Sequence, residues 1–244
     1  MKIMKIRVLS TFLFLSVLSV SSHGADITLV PSIGYGMSNL KFTRSVGGED
    51  ASRFNVVDLG LTAAYKRFYI RGSAEIPLGE EYTYGPALIR QVKREDYGYS
   101  VGYYVLETLS VFGGYSYGKT SIISFDGGGG LPPYPVYTQH LDEGIYIGAN
   151  YSIYVGKTGT IGLNLAYADM DGKYIVQDSD PGGVSSSETG KTSGYSFGIT
   201  WSDTIKNKTT YYVSYKQKSY KTDLVTISID KAFNIFTFGF VFPI

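Results

Sequence analysis

The chain carries 2 histidines, and only His140 lies beyond the N-terminal leader-like segment. It sits in the run Tyr137-Thr138-Gln139-His140-Leu141-Asp142-Glu143. An imidazole beside carboxylates has the groups that a hydrolase uses for general acid–base work. The run also falls in a polar stretch between two regular segments, and connecting segments run over the surface. A solvated loop histidine is therefore the plainer reading. No spacing around His140 matches a histidine-containing hydrolase motif, so a hydrolase using His140 is kept only as an alternative.

Residues 113–120, GGYSYGKT, match the phosphate-loop pattern G-x-x-x-x-G-K-[ST]. That chemistry needs a loop between a strand and a helix, so that backbone N–H groups and a helix N-terminus converge on phosphate. Here the residues lie inside an alternating segment with no helix after it. They read better as small residues interleaved with tyrosines.

Asp58, Lys66, Arg71 and Glu75 form a third constellation. If Lys66-Arg67 is a two-residue turn, Asp58 falls opposite Glu75 and Thr62 opposite Arg71. Two carboxylates side by side on neighbouring strands need a cation nearby. The four charges are expected as a polar cluster on one face of a sheet, either bracing a wall or lining a constriction. The acids of the connections show no calcium-loop spacing. With no cysteine in the chain, disulfide frameworks and thiolate chemistry are excluded. The formal charge of +1 argues against a nucleic-acid partner. The chain is thus read as a non-enzyme, with no catalytic residue, no cofactor and no metal ligand assigned.

The elements that carry these residues alternate from end to end. A strand sends successive side chains to opposite faces. Ile33, Tyr35 and Met37 oppose Ser32, Gly34, Gly36 and Ser38. Val57, Leu59, Leu61 and Tyr65 oppose Asp58, Gly60, Thr62 and Lys66. Tyr97, Tyr99, Val101 and Tyr103 oppose Gly98, Ser100 and Gly102. Ile145, Ile147, Ala149 and Tyr151 oppose Tyr146, Gly148 and Asn150. Ten such segments are present, ending in Phe236, Phe238, Phe240 and Phe242. Short connections at 66–67, 106–108, 156–159 and 202–208 alternate with long polar stretches at 39–53, 77–95, 121–141, 169–191 and 217–231. One end of the sheet is trimmed and the other elaborated.

Ahead of them, Lys2, Lys5 and Arg7 precede an apolar run over 8–20 and a small polar segment at 21–25. This is the layout of a secretory signal peptide. The expected organisation is a signal peptide over 1–24 and one domain over 25–244.

The second face of the segments is rich in Gly, Ser, Ala and Thr, unlike the Lys- and Glu-rich outer face of a soluble barrel. The apolar face has aromatics towards the strand ends and aliphatics between them. An outward apolar band, aromatic girdles and a small or polar interior describe a transmembrane β-barrel. Closure leaves no unpaired edge in hydrocarbon. The expected fold is all-β: a closed antiparallel transmembrane β-barrel of about ten strands, with short periplasmic turns and long extracellular loops.

On these residues, and above all the final Phe236-x-Phe238-x-Phe240-x-Phe242, the chain resembles the small outer-membrane β-barrel proteins of Gram-negative bacteria, the OmpA- and opacity-protein-like barrels. The resemblance covers the whole of 25–244. It implies a bacterial outer-membrane location and contact with outer-membrane lipid and lipopolysaccharide. It also implies that Phe236, Phe238, Phe240 and Phe242 form a C-terminal signal for the barrel assembly machinery. Here Pro243 and Ile244 follow, where the family usually ends on an aromatic. The expected function is a structural or surface-binding role through extracellular loops, with an extracellular ligand as partner. A narrow passive channel for ions or small solutes is the second expectation, with Tyr69, Phe112, Tyr146 and Tyr212 placed to block it.

Overall fold

The computed structural model describes residues 27–45, 49–79, 81–84, 88–126, 134–180, 183, 185–205, 209–242 and 244. The expected leader, 1–24, lies outside the described residues. Eleven strands follow in order: β1 (Ile27–Arg44), β2 (Glu49–Tyr65), β3 (Phe68–Pro77), β4 (Glu81–Tyr84), β5 (Leu88–Tyr104), β6 (Leu109–Asp126), β7 (Val136–Val155), β8 (Gly159–Asp178), β9 (Ser186–Thr204), β10 (Thr210–Asp223) and β11 (Ser228–Val241). Each pairs antiparallel with its neighbour, β11 pairs with β1, and β3 pairs with β5, which closes the sheet. β3 and β4 are two halves of one wall strand, both laid along β5. From Glu75↔Asp96 to Glu81↔Val92 the chain advances six residues on one side and four on the other. The slack is taken up around Gly79, whose φ of +91° favours glycine. The wall is therefore a ten-strand barrel, as the alternation predicts.

The β2–β3 hairpin has the predicted register, with Asp58 opposite Glu75 and Thr62 opposite Arg71. Its turn holds Lys66 at φ 55°. The first and last described residues meet at the same end, where Leu29 and Ile244 exchange backbone hydrogen bonds of 3.3 and 2.8 Å. This is the turn end, and the opposite end is the loop end.

The apolar face points outward. Ile145, Ile147 and Leu165 in the middle of the wall are 61%, 63% and 59% exposed, values that only an apolar surround makes comfortable. Towards the loop end the band finishes in tyrosines paired across strands: Tyr97 with Tyr117, Tyr99 with Tyr115, and Tyr167 with Tyr195, the last at 5.0 Å between centroids. Phe68, Tyr103, Tyr151 and Tyr211 ring the turn end. Phe236, Phe238, Phe240 and Phe242 lie on the same outer surface, with Phe238 and Phe240 edge-on at 5.3 Å.

The stretches read as long connections are in large part strand. β1 runs on to Arg44 and β2 starts at Glu49, so little of 39–53 is loop, and the same holds for 169–191 and 217–231. A 20-residue strand such as β7 is ~66 Å long at ~3.3 Å per residue. At a tilt of ~40° that gives a height of ~50 Å, about twice the ~25 Å apolar band. The loop-end half of the wall thus stands clear of the band.

There the two faces exchange character. On β1 the outward series Ile33, Tyr35, Met37 continues as Asn39, Lys41, Thr43, while the inward series Gly34, Gly36, Ser38 continues as Leu40 and Phe42. Asn55, Glu95, Glu143, Asp169, Gln217 and Asn234 mark the same boundary on other strands. The barrel is apolar outside where the band lies and apolar inside beyond it.

Candidate functional site

The bore is where polar side chains from every part of the chain converge, and it is layered. Nearest the turn end, Tyr69 lies across the bore over Gly102, where a Cβ would collide with its ring. Asn150 donates to Tyr69 Oη and to Ser110 Oγ, both at 3.2 Å, and Asn164 donates to Asn150 at 2.7 Å. Phe112 meets Tyr146 edge-on at 6.0 Å. Tyr212 is buried beside Gly34 and Gly239 and donates to Asp58 at 3.3 Å. All four aromatics expected to block the bore face into it.

The next layer is ionic and reaches from one side of the wall to the other. Glu75 on β3 takes Lys216 at 2.9 Å and Lys218 at 3.1 Å, both from β10. Lys218 stands 3.8 Å from Asp96, which Arg94 grips through two nitrogens at 2.8 and 2.7 Å. Arg94 also donates to Thr120 at 2.8 Å and lies over the Phe233 ring at 4.2 Å. Asp142 on β7 binds Lys231 on β11 through both oxygens, at 2.6 and 2.8 Å, and accepts from Thr192 at 2.9 Å. Lys231 and Asp142 are almost wholly buried, at 1% and 2% side-chain exposure. Burial holds the Lys231 ammonium below its ordinary range, against the pull of Asp142.

Interleaved with this layer, and continuing beyond it towards the loop end, the bore is filled with hydrocarbon. Leu40, Phe42, Phe54, Val56, Val92, Ile122, Ile229, Phe233 and Ile235 form one buried cluster, flanked by Tyr174 and Tyr220. These residues come from β1, β2, β5, β6 and β11, with the flanking rings from β8 and β10, so they meet across the whole section.

His140 belongs to this plug, not to a solvated loop. It lies on β7, faces inward and is 1% exposed. Its ring stacks on Phe42 at 4.8 Å and 17°, with Tyr174 tilted against it at 4.8 Å. Its Nε2 has no hydrogen-bond partner among the described residues. Desolvation, helped by Lys231, Arg44 and Arg94, holds the imidazole well below its usual pKa. Asp142 shares its face but is engaged by Lys231 and Thr192, and no hydrogen bond joins it to His140 among the described residues. The pair is not arranged as base and orienting acid.

Of the four charges predicted to cluster, Asp58 and Glu75 are cross-strand neighbours in the bore. Arg71 shares their inward face, with its guanidinium beside Gly60. Lys66 is not with them. It is exposed in the β2–β3 turn, with its ammonium 5.0 Å from the Tyr65 ring centre, because the turn turns it out of the wall. The partners that satisfy Glu75 are Lys216 and Lys218, which sequence reasoning left out. Lys216 already stood on the inward face of its segment by alternation. Arg94, Lys218 and Lys231 were hidden in stretches read as connections, and Asp142, just past one of them, was read only as an acid near His140. The phosphate-loop match at 113–120 is β6 strand, with no helix after it. Among the described residues no group of three or more His, Asp or Glu is placed to hold a metal ion.

No protein-family model matches the chain, and no curated protein sequence matches it. Solved structures do match. The outer membrane protease OmpT from Escherichia coli superposes with a TM-score of 0.67 at 12% identity, over 89% of this chain and 97% of that one. The translocator domain of the autotransporter NalP from Neisseria meningitidis gives 0.44 at 8% identity, over 95% and 94%. The attachment invasion locus protein Ail of Yersinia pestis gives 0.40 at 10%, over 87% and 98%. At these identities the likeness is one of fold: a closed outer-membrane type of barrel.

Proposed function

We propose that this chain is a sealed outer-membrane barrel that works as a structural or surface-binding protein through its loop end. The turn end would face the periplasm and the loop end would face outward from the cell. The observation that carries the reading is the double closure of the bore, with the buried apolar cluster from Leu40 to Ile235 packed against the Glu75–Lys218–Asp96–Arg94–Asp142–Lys231 chain, in which Arg94 stands 4.0 Å from Asp142. An ion crossing this section would leave water for hydrocarbon, which costs many kcal/mol. That weighs against the passive channel. The enclosure of His140 by Phe42 and Tyr174 weighs against a hydrolase that uses it. The outer band would sit among outer-membrane lipid and lipopolysaccharide, and the Phe236 to Phe242 stripe would serve the assembly machinery.

Planar-bilayer recordings of the purified protein test the seal. The expected result is no unitary conductance from the native chain, with events appearing in the doubly substituted Asp142→Ala, Phe233→Ala protein. Steady channels in the native chain would overturn the reading.

A further inference from the structure

The turn-end mouth of the bore holds a guanidinium without a partner. Arg71 faces inward on β3, with Thr62 across one ladder and Ser100 across the other. It lies three residues past the start of β3 at Phe68, so ~8 Å below the rim at ~3.3 Å per residue and ~40° of tilt. It is exposed although it faces inward, so water reaches the bore at its height. Among the described residues it makes no ion pair and no side-chain hydrogen bond. An arginine stays charged and offers five N–H donors. Asp58, on the same inner surface, accepts from Tyr212 at 3.3 Å and is not ion-paired with Arg71. Deeper in, Lys216, Lys218, Arg94 and Lys231 share Glu75, Asp96 and Asp142. Among the described residues between the turn end and the plug, cations therefore outnumber carboxylates by one.

Gly60 gives this charge a cradle. Ser32 lies opposite it on β1. A Cβ at Gly60 would collide with Ser32 Oγ and would stand 3.3 Å from Arg71 Nη2. The hydroxyl and the guanidinium thus converge on the space that a side chain at Gly60 would fill. They stand within ~6 Å of each other, close enough for one oxygen atom to accept a hydrogen bond of ~2.8 Å from each.

We infer that the turn-end mouth is an oxyanion site, in which Arg71 and the Ser32 hydroxyl bind a carboxylate or phosphate group over Gly60. The planar guanidinium matches either group through two parallel N–H donors. Gly60 is what lets the oxygen come close, since any larger residue there would occupy its place. Lys216, 40% exposed at its side chain and on the same inner surface, adds positive potential from deeper in the bore. The plug closes the far side, so the anion enters and leaves by the turn end. The site does not rest on the reading of the loop end as a binding surface.

The test is a nuclear magnetic resonance titration of the nitrogen-15-labelled full chain in detergent micelles. Inorganic phosphate, and in a second arm acetate, replaces chloride at constant ionic strength. Saturable shifts are expected at the Ser32, Gly60 and Thr62 amides and at the Arg71 Nε–H. Saturation by one anion alone supports the site and names the group that it takes. Arg71→Gln, which keeps hydrogen-bond donors but drops the charge, should weaken the affinity by ~10-fold or more. Gly60→Ala, which fills the cradle with a methyl group and keeps every charge, should do the same. Lys157→Ala, which removes a turn-end cation outside the bore, should change nothing. No saturable shift with either anion, or an unchanged affinity in Arg71→Gln, would overturn the site. So would an equal loss in Lys157→Ala, which would reduce the effect to general attraction by surface charge. Arg71→Gln keeps the test decisive if Gly60→Ala fails to fold.

Discussion

Lys231 and Asp142 show what a buried charge requires. Each is enclosed, and each has the other within 2.8 Å as its partner. Removing one partner of such a pair costs ~3–5 kcal/mol, because a bare charge stays behind. Lys231→Ala and Asp142→Ala should each lower the unfolding midpoint in urea by that measure. Replacing both with apolar residues of similar size should recover most of the loss. If the double replacement is as damaging as either single one, the pair is not the unit of stability. His140 adds a pH dependence. In the unfolded chain an imidazole takes up a proton below about pH 6.5. In the folded bore it resists the proton, because burial strips water from the ring and Lys231, Arg44 and Arg94 oppose a further positive charge. The stabilisation is therefore present above pH 6.5 and is lost as pH falls below it. Urea midpoints at pH 7.5 and 5.0 should differ in the native chain, and the difference should shrink in His140→Phe. An equal difference in both proteins would acquit His140.

At the scale of the strands, alternation was legible wherever one face meets the band and the other the bore. The ten segments, the 66–67 turn and the Asp58–Glu75 register follow from it. The loop-end halves of the strands were not legible, and β1 shows why. Its apolar residues sit at 33, 35 and 37, then at 40 and 42. The period of two is unbroken, but the apolar residues move to the other parity as the surround changes from apolar to aqueous. The same step separates Ile235 from Phe236 on β11 and Val56 from Val57 on β2. In sequence it looks like a strand ending. The ionic layer lies near this step, so Arg94, Lys218 and Lys231 were missed with it, Asp142 was seen only as a neighbour of His140, and His140 was taken for a loop residue. The final strand carries its own prediction. Phe240→Ser with Phe242→Ser removes outward rings from β11, and a smaller heat-modifiable fraction on gels is expected. An unchanged fraction would detach the aromatic stripe from assembly.

For the molecule as a whole, two solvents shape one barrel: an apolar one around the middle of the wall and water around the loop end. A charge in the middle of the band should cost ~2–4 kcal/mol, so Ile147→Arg should destabilise strongly, while Thr43→Arg on the outward face beyond the band should be near neutral. Comparable losses from both would deny the boundary between them. The chain has no cysteine of its own, which leaves single introduced cysteines free to carry a spin label. Labels at Tyr35, Lys41 and Leu40 read the two faces of β1 on either side of the boundary. The most direct measurement is their relaxation by dissolved oxygen, which concentrates in lipid, and by a water-soluble nickel chelate. The prediction is oxygen-dominated relaxation at position 35, nickel-dominated relaxation at 41 and little of either at 40. Nickel access at 35, with oxygen access at 40, would mean that the apolar faces are the other way round.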